Sequence, residues 1–275
     1  MKKVFILSLT LTLFACSTNK ELPKAPIVRE AERTIKKAEI AFISGEPSTD
    51  ELIKNVLSLT LATNIPNLKI RSLLLKTGSE IKKNQLNDAI KSLENAKEIA
   101  RNEAPQMIPY IIYFDMIISI VKNDDTNIKT LLNAKINYPK DLIPSVTSLK
   151  AIWMIKHNKF DEAMNEIKIA YNIAKKQNQI IEQSFLLKLS SYINLQKNNI
   201  EYALNDIKNA LNIDRSLYLI DYLYWDLEML GKIYLIKGDK ETSLYYYKSA
   251  YELALSNKNE IKAKYFNDKI LQLLK

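Results

Sequence analysis

A chain of 275 residues with 47% hydrophobic content is long enough for one or two ordinary cores, and its 4 glycines leave few places for tight hairpin turns. Asn-Gly and Asp-Gly pairs are absent, and Leu, Ile, Lys, Asn, Glu and Ala dominate, which points to an all-α protein. The formal charge is +9, yet only Arg29, Arg33, Arg71, Arg101 and Arg215 are arginines, and Lys alternates with Glu and Asp along the chain. That pattern describes solvated helix faces. It points away from a nucleic-acid interface and leaves only weak attraction to anionic lipid or acidic partners.

In chain order, residues 1–15 read as a signal peptide. Lys2 and Lys3 precede an apolar run from Val4 to Phe14, too short for a permanent membrane span. Leu13, Ala15 and Cys16 resemble the bacterial lipobox, with Phe14 bulkier than is usual there. The resemblance implies that Cys16 is diacylated and becomes the mature N-terminus. Two or three acyl chains anchor firmly where one does not. Cleavage removes Lys2 and Lys3, lowering the charge from +9 to +7. Cys16 is the only cysteine, so an acylated chain has no thiol left for a disulfide or a thiolate metal site. Ser17, rather than Asp, follows it, which implies sorting to the outer membrane, on its periplasmic face. Residues 16–27 form the lipidated end and a short polar tether, whose ten residues from Ser17 to Pro26 reach no more than about 33 Å.

Helical periodicity begins at Val28. One helix is expected from Val28 to Ile43, broken at Ser44-Gly45-Glu46-Pro47, and a second runs from Ser48 or Thr49 to about Ala62. This pair, residues 28–65, reads as an atypical terminal cap. Five apolar stripes follow at helical spacing. They are Leu86, Ala89, Ile90, Leu93 and Ala96; Ile128, Leu131, Ala134 and Pro139; Phe160, Ala163, Met164, Ile167 and Ala170; Ile200, Ala203, Leu204, Ile207, Ala210 and Leu211; and Leu244, Tyr247, Ala250 and Tyr251. A small residue recurs at 96, 134, 170, 210 and 250, in steps of 38, 36, 40 and 40. Small residues there let paired helices approach closely. Ala151, Ser191 and Gly231 hold matching points in the preceding helices. Asn199 and Asp239 stand as caps for second helices, and longer first helices, Ile181 to Gln196 and Leu217 to Ile236, are expected to absorb the length of each unit.

Leu230, Gly231 and Tyr234 are spaced L-G-x-x-Y, Gly238 and Asp239 make a turn, and Leu244, Tyr247, Ala250 and Tyr251 follow. This stretch resembles a tetratricopeptide repeat. About five such units are expected over residues 66–257, and residues 258–275 look like a capping helix. The departures are a period longer than the family's 34 residues, Lys76 and Thr77 in place of Leu and Gly, and Ser243 in place of Ala. The resemblance implies an α-solenoid of stacked antiparallel helix hairpins, because one hairpin cannot bury its apolar face alone. It also implies a concave groove lined by first helices. Carried over residue by residue, the lining is Phe185, Lys188, Tyr192, Leu195 and Gln196 in one unit and Trp225, Glu228, Lys232, Leu235 and Ile236 in the next. Residues Tyr218 to Trp225 form the most aromatic run and are expected to offer some ring to a partner.

Reaction chemistry finds no foothold. His157 is the single histidine, in a Lys-His-Asn-Lys turn, with no nucleophile or orienting carboxylate evident in sequence. Asp124-Asp125 reads as a turn rather than a calcium loop. No phosphate-cradling glycine motif and no metal-ligand cluster is present, so neither a cofactor nor a metal is expected, and an enzyme is disfavoured. The expected role is a membrane-anchored adaptor or scaffold in the bacterial envelope, holding another envelope protein or peptide, with Phe185, Lys188, Tyr192, Trp225, Glu228 and Lys232 as its gripping residues. Such a protein could serve an outer-membrane assembly or transport complex. The alternatives are a solute- or glycan-binding lipoprotein and, third, an envelope hydrolase.

Overall fold

The computed structural model describes residues 25–274; the expected signal peptide, Cys16 and most of the expected tether lie outside them. Thirteen α-helices and one 3-10 turn make up the described chain, with no strand among them. They are α1 (Pro26–Ser44), α2 (Thr49–Thr63), α3 (Pro66–Lys82), α4 (Leu86–Glu103), α5 (Ile108–Lys122), α6 (Asp125–Asn133), α7 (Ile143–Lys156), α8 (Phe160–Lys176), α9 (Ile180–Gln196), α10 (Ile200–Ser216), α11 (Ile220–Ile236), α12 (Lys240–Ser256) and α13 (Glu260–Leu274). The 3-10 turn, Pro105–Met107, leads into α5. Consecutive helices pack on each other, and the result is an all-α solenoid of antiparallel hairpins. The first helix begins at Pro26, inside the expected tether, because the fixed φ of proline suits a first helical position.

From Phe160 onward the chain keeps strict time. Helices α8 to α12 are each 17 residues long and start at 160, 180, 200, 220 and 240. First helices are therefore no longer than second ones, and Leu217 to Leu219 belong to a turn. The turns explain the rhythm. One residue in each lies in the left-handed region, at Asn158, Asn178, Asn198, Tyr218, Gly238 and Lys258. Asparagine tolerates that conformation better than most L-residues, and glycine has no penalty there. The next residue's N–H then closes the helix: Asn199 N–H donates to the Asn194 carbonyl at 2.8 Å, and Gln179 N–H to the Ala174 carbonyl at 2.9 Å. Asp239 caps α12, its Oδ1 accepting from the Thr242 N–H at 2.9 Å. Asn199 makes no side-chain cap.

Close helix approach rests on the small residues. Ala96, Ala170, Ala210 and Ala250 are all fully buried. A Cβ placed on Gly231 would stand 2.8 Å from the Tyr247 ring. Ser191 Oγ donates to the Ala203 carbonyl and Ser243 Oγ to the Gly231 carbonyl, each at 2.8 Å, so each small side chain adds a bond across its helix crossing. Ala134 breaks the series. Helix α6 stops at Asn133, and Ala134 is extended and exposed, in an irregular stretch that holds Pro139, leading to α7. The second hairpin after the cap therefore has a truncated second helix.

The array bends until its first hairpin meets the start of α11. Lys82 Nζ donates to the Phe42 carbonyl at 2.6 Å and to Asp221 Oδ2 at 2.9 Å, and lies 4.2 Å from the centre of the Phe42 ring. Gly45 stands against the same carboxylate, which lies 3.1 Å from where its Cβ would be. This meeting of distant helices encloses a concave side.

Candidate partner-binding groove

The six expected groove residues do not behave alike. Phe185 on α9 and Trp225 on α11 meet edge to face with centroids 5.8 Å apart, and Tyr222 lies 6.1 Å from Phe185. Trp225 touches the cores on either side of it, so its first task is to join two hairpins. Tyr192 is half-buried against the core formed by α10 and α11. Lys232 is exposed and pairs with Glu228 at 2.5 Å, and Glu228 also accepts from Tyr265 Oη of α13 at 2.7 Å. Burial opposes ionisation of Glu228, but the bonds from Lys232 and Tyr265 prevail and hold its carboxyl below the usual range.

Lys188 does not line the groove. Its side chain is fully buried, paired with Asp214, 2.9 Å from Asp226 Oδ1 and donating to Ser184 Oγ at 2.9 Å. Three elements meet in this cluster: α9, α10 and α11. Two carboxyls share one ammonium in a dry site, and burial pushes Asp226 up to about 8 despite Lys188, so Asp226 keeps its proton at neutral pH and leaves Lys188 to balance Asp214. The sequence held a signal for it. Asp214 occupies the register position of Ala174 and Ala254, and Asp226 that of Leu186 and Phe266, so two charges break an otherwise apolar forty-residue pattern.

The aromatic run divides in the same way. Tyr224 is buried against Phe266, Tyr222 is mostly covered, and Tyr218 is 79% exposed at the turn. His157 is more engaged than a free turn residue. Its Nδ1 lies 2.8 Å from the Trp153 carbonyl oxygen and its Nε2 3.1 Å from Asp125 Oδ2. With both nitrogens occupied, it ties α7 to α6.

A further hollow lies where α1, α3 and α5 face one another. This pocket of about 540 Å³ has Phe42, Ile43, Leu74, Leu75, Met107 and Phe114 among its walls. Its polar edge is short. Arg71 Nη2 donates to Glu39 Oε1 at 2.6 Å, and Tyr110 Oη donates to Asp141 Oδ2 at 3.2 Å. Burial raises the Tyr110 hydroxyl, with Asp141 adding to it. The repeat pattern pointed only at α9 and α11 because the residues of α3 and α5 depart most from it.

Deeper on the same side, Ser145 of α7 donates to Glu182 Oε1 at 3.4 Å. Tyr113 of α5 is pushed up to about 12 by burial and by that carboxylate, and Tyr222 of α11 is raised by burial and then by Tyr113 and Glu182. Glu182 of α9 is thus felt by residues of three other first helices, α5, α7 and α11. Among the described residues no group of three or more His, Cys, Asp or Glu could hold a metal ion, and no helix is long and apolar enough to cross a membrane. The arrangement can bind, with apolar walls for contact area and few polar groups for orientation.

No family model and no curated protein matches the chain. Among solved structures it is similar to one titled "Crystal structure of BtubC (BKLC) from P. vanneervenii", at 12% identity over 91% of each chain with a TM-score of 0.40. So loose a likeness carries no argument about what this chain does. The helical repeat fold stands on the helix order and packing described above.

Proposed function

We propose that this chain is a lipid-anchored, tetratricopeptide-like adaptor of the bacterial envelope, which holds a segment of another envelope protein in its concave side. The anchor part of this reading rests on the sequence around Cys16. The binding part is supported by one observation above the others: an apolar pocket of about 540 Å³ opens between α1, α3 and α5 with charged and hydroxyl groups at its edge. First helices project apolar side chains there instead of filling the space with a further element. A side chain from a partner could seat in it as an anchor, and anchors of this kind dominate binding energy.

Phe114→Ala enlarges the pocket and removes contact area without touching the cores joined by Trp225. It should weaken capture of the partner in envelope cross-linking and pull-down, whereas Tyr202→Ala, on an exposed ring outside the pocket, should leave capture intact. Equal recovery with both variants would count against the groove. Mass spectrometry of the mature N-terminus tests the anchor, and an unmodified Cys16 removes it.

The size of the pocket also favours a second reading, a solute-binding envelope lipoprotein, since small ligands occupy hollows of about 300–1,000 Å³. The walls argue for an apolar solute over a glycan. A thermal shift with apolar solutes, lost in Phe114→Ala and absent with oligosaccharides, is the outcome that reading requires.

A further inference from the structure

The concave side has a charge of its own, opposite to that of the chain. Of its basic groups, Arg71 is neutralised by Glu39 at 2.6 Å, Lys82 by Asp221 at 2.9 Å and Lys232 by Glu228 at 2.5 Å. Lys188 lies behind the wall between two aspartates. Two carboxylates remain, Asp141 and Glu182. Among the described residues neither forms an ion pair within 4.0 Å, and each accepts only a neutral hydroxyl, from Tyr110 and Ser145. Their segments are tied to each other, because Gln179, one turn before Glu182, donates its Nε2 to the Asp141 carbonyl at 2.7 Å. The Oε1 of Gln179 is buried there with no donor. Acceptors exceed donors on this wall, and the apolar pocket begins beside it, since Asp141 and Tyr110 line both.

We propose that the concave side selects a cationic, apolar peptide segment: one large apolar side chain enters the pocket at Phe42, Leu74 and Phe114, and a neighbouring lysine or arginine lies against Asp141 and Glu182. This rests on the adaptor reading above and names the chemistry of its partner. A carboxylate or phosphate ligand would meet two unpaired anions, with the nearest guanidinium already occupied. A bare apolar solute would leave both carboxylates without a counter-charge. General attraction does not account for cation binding here, because the chain carries +9 overall and repels cations at long range.

The test uses the full mature chain in detergent and three short fluorescent peptides of equal length. One interleaves Lys with Phe, one Glu with Phe, and one Lys with Ser. Fluorescence anisotropy should rank Lys/Phe first by about tenfold over each of the others, with the advantage over Glu/Phe shrinking as salt is raised. Asp141 is exposed and Glu182 half-buried, so D141N/E182Q should keep its melting curve while losing about fivefold or more in affinity for Lys/Phe. Binding of Glu/Phe as tight as Lys/Phe overturns the choice of charge and leaves the adaptor reading standing. Equal binding of Lys/Ser and Lys/Phe overturns the anchor in the pocket. Failure of all three peptides to bind overturns this inference and the adaptor reading together.

Discussion

Asp226 is the residue at which the fold holds a proton that the free side chain would give up. Unfolded, its carboxyl titrates at its ordinary value of 3.8; folded, burial moves it to about 8. The native state therefore binds more protons than the unfolded state between about pH 4 and pH 8. Stability from this group is complete below that window and is lost as the pH rises through it. Denaturant melts of D226N should show a flatter pH profile across the window than the wild type; an unchanged profile would show that Asp226 ionises normally. Lys188 has the opposite vulnerability. Replacing it with Met strands two buried carboxyls and should cost about 3–5 kcal/mol in a urea melt. The triple variant Lys188→Met, Asp214→Ala, Asp226→Leu restores the apolar register of the neighbouring hairpins and should recover most of that loss. If it does not, the cluster contributes more than its charge balance.

Helices and turns follow a short local code. An asparagine two residues past a seventeen-residue helix, or a glycine in its place, closes one element and starts the next. Tyr218 breaks the code: an aromatic residue sits at φ 54°, and its ring is 79% exposed. The left-handed conformation costs an ordinary L-residue about 1–2 kcal/mol. Tyr218→Asn should therefore raise stability by about 1 kcal/mol in chemical denaturation, since so exposed a ring gives up little packing. A loss of stability would show that the ring has a contact of its own. Between helices, Gly231→Ala places a methyl against the Tyr247 ring, at 2.8 Å. Overpacking of this kind costs about 1–3 kcal/mol. Tyr247→Leu in the same chain should return part of it, and a simple sum of the two losses would refute the contact. Most of this was readable beforehand. The spacing of alanines located the crossings, and the turn residues stood in plain view at twenty-residue steps. Ala134 was misread because its stripe keeps the right spacing, while the regular structure ends one residue before it, at Asn133.

At the scale of the molecule, the decisive contact joins α3 to the first turn of α11 through Lys82 and Asp221, 139 residues apart. Both side chains keep 42% of their surface in water, so salt weakens their attraction. Asp221→Lys sets two ammonium groups against each other and should open the curve of the array, seen in small-angle scattering as a larger radius of gyration. An identical scattering curve would mean that packing alone sets the curvature. The contact joins α3, which contributes Leu74 and Leu75 to the pocket, to the helix after the hairpin that carries Glu182.

The amino-acid sequence by itself determined that the chain is helical, that its helices pair, and roughly where they turn, because these properties depend on neighbours within one or two turns. It also determined the pattern at Cys16, which is a matter of adjacent residues. Only the tertiary structure decided which side chains face the groove. Lys188 carries the pattern of a groove residue and lies buried, because two aspartates from other helices meet it there. Arg71, Glu39, Tyr110 and Asp141 carry no pattern and line the pocket. Their roles depend on distances between residues far apart in the chain, and no periodicity along one helix encodes such distances.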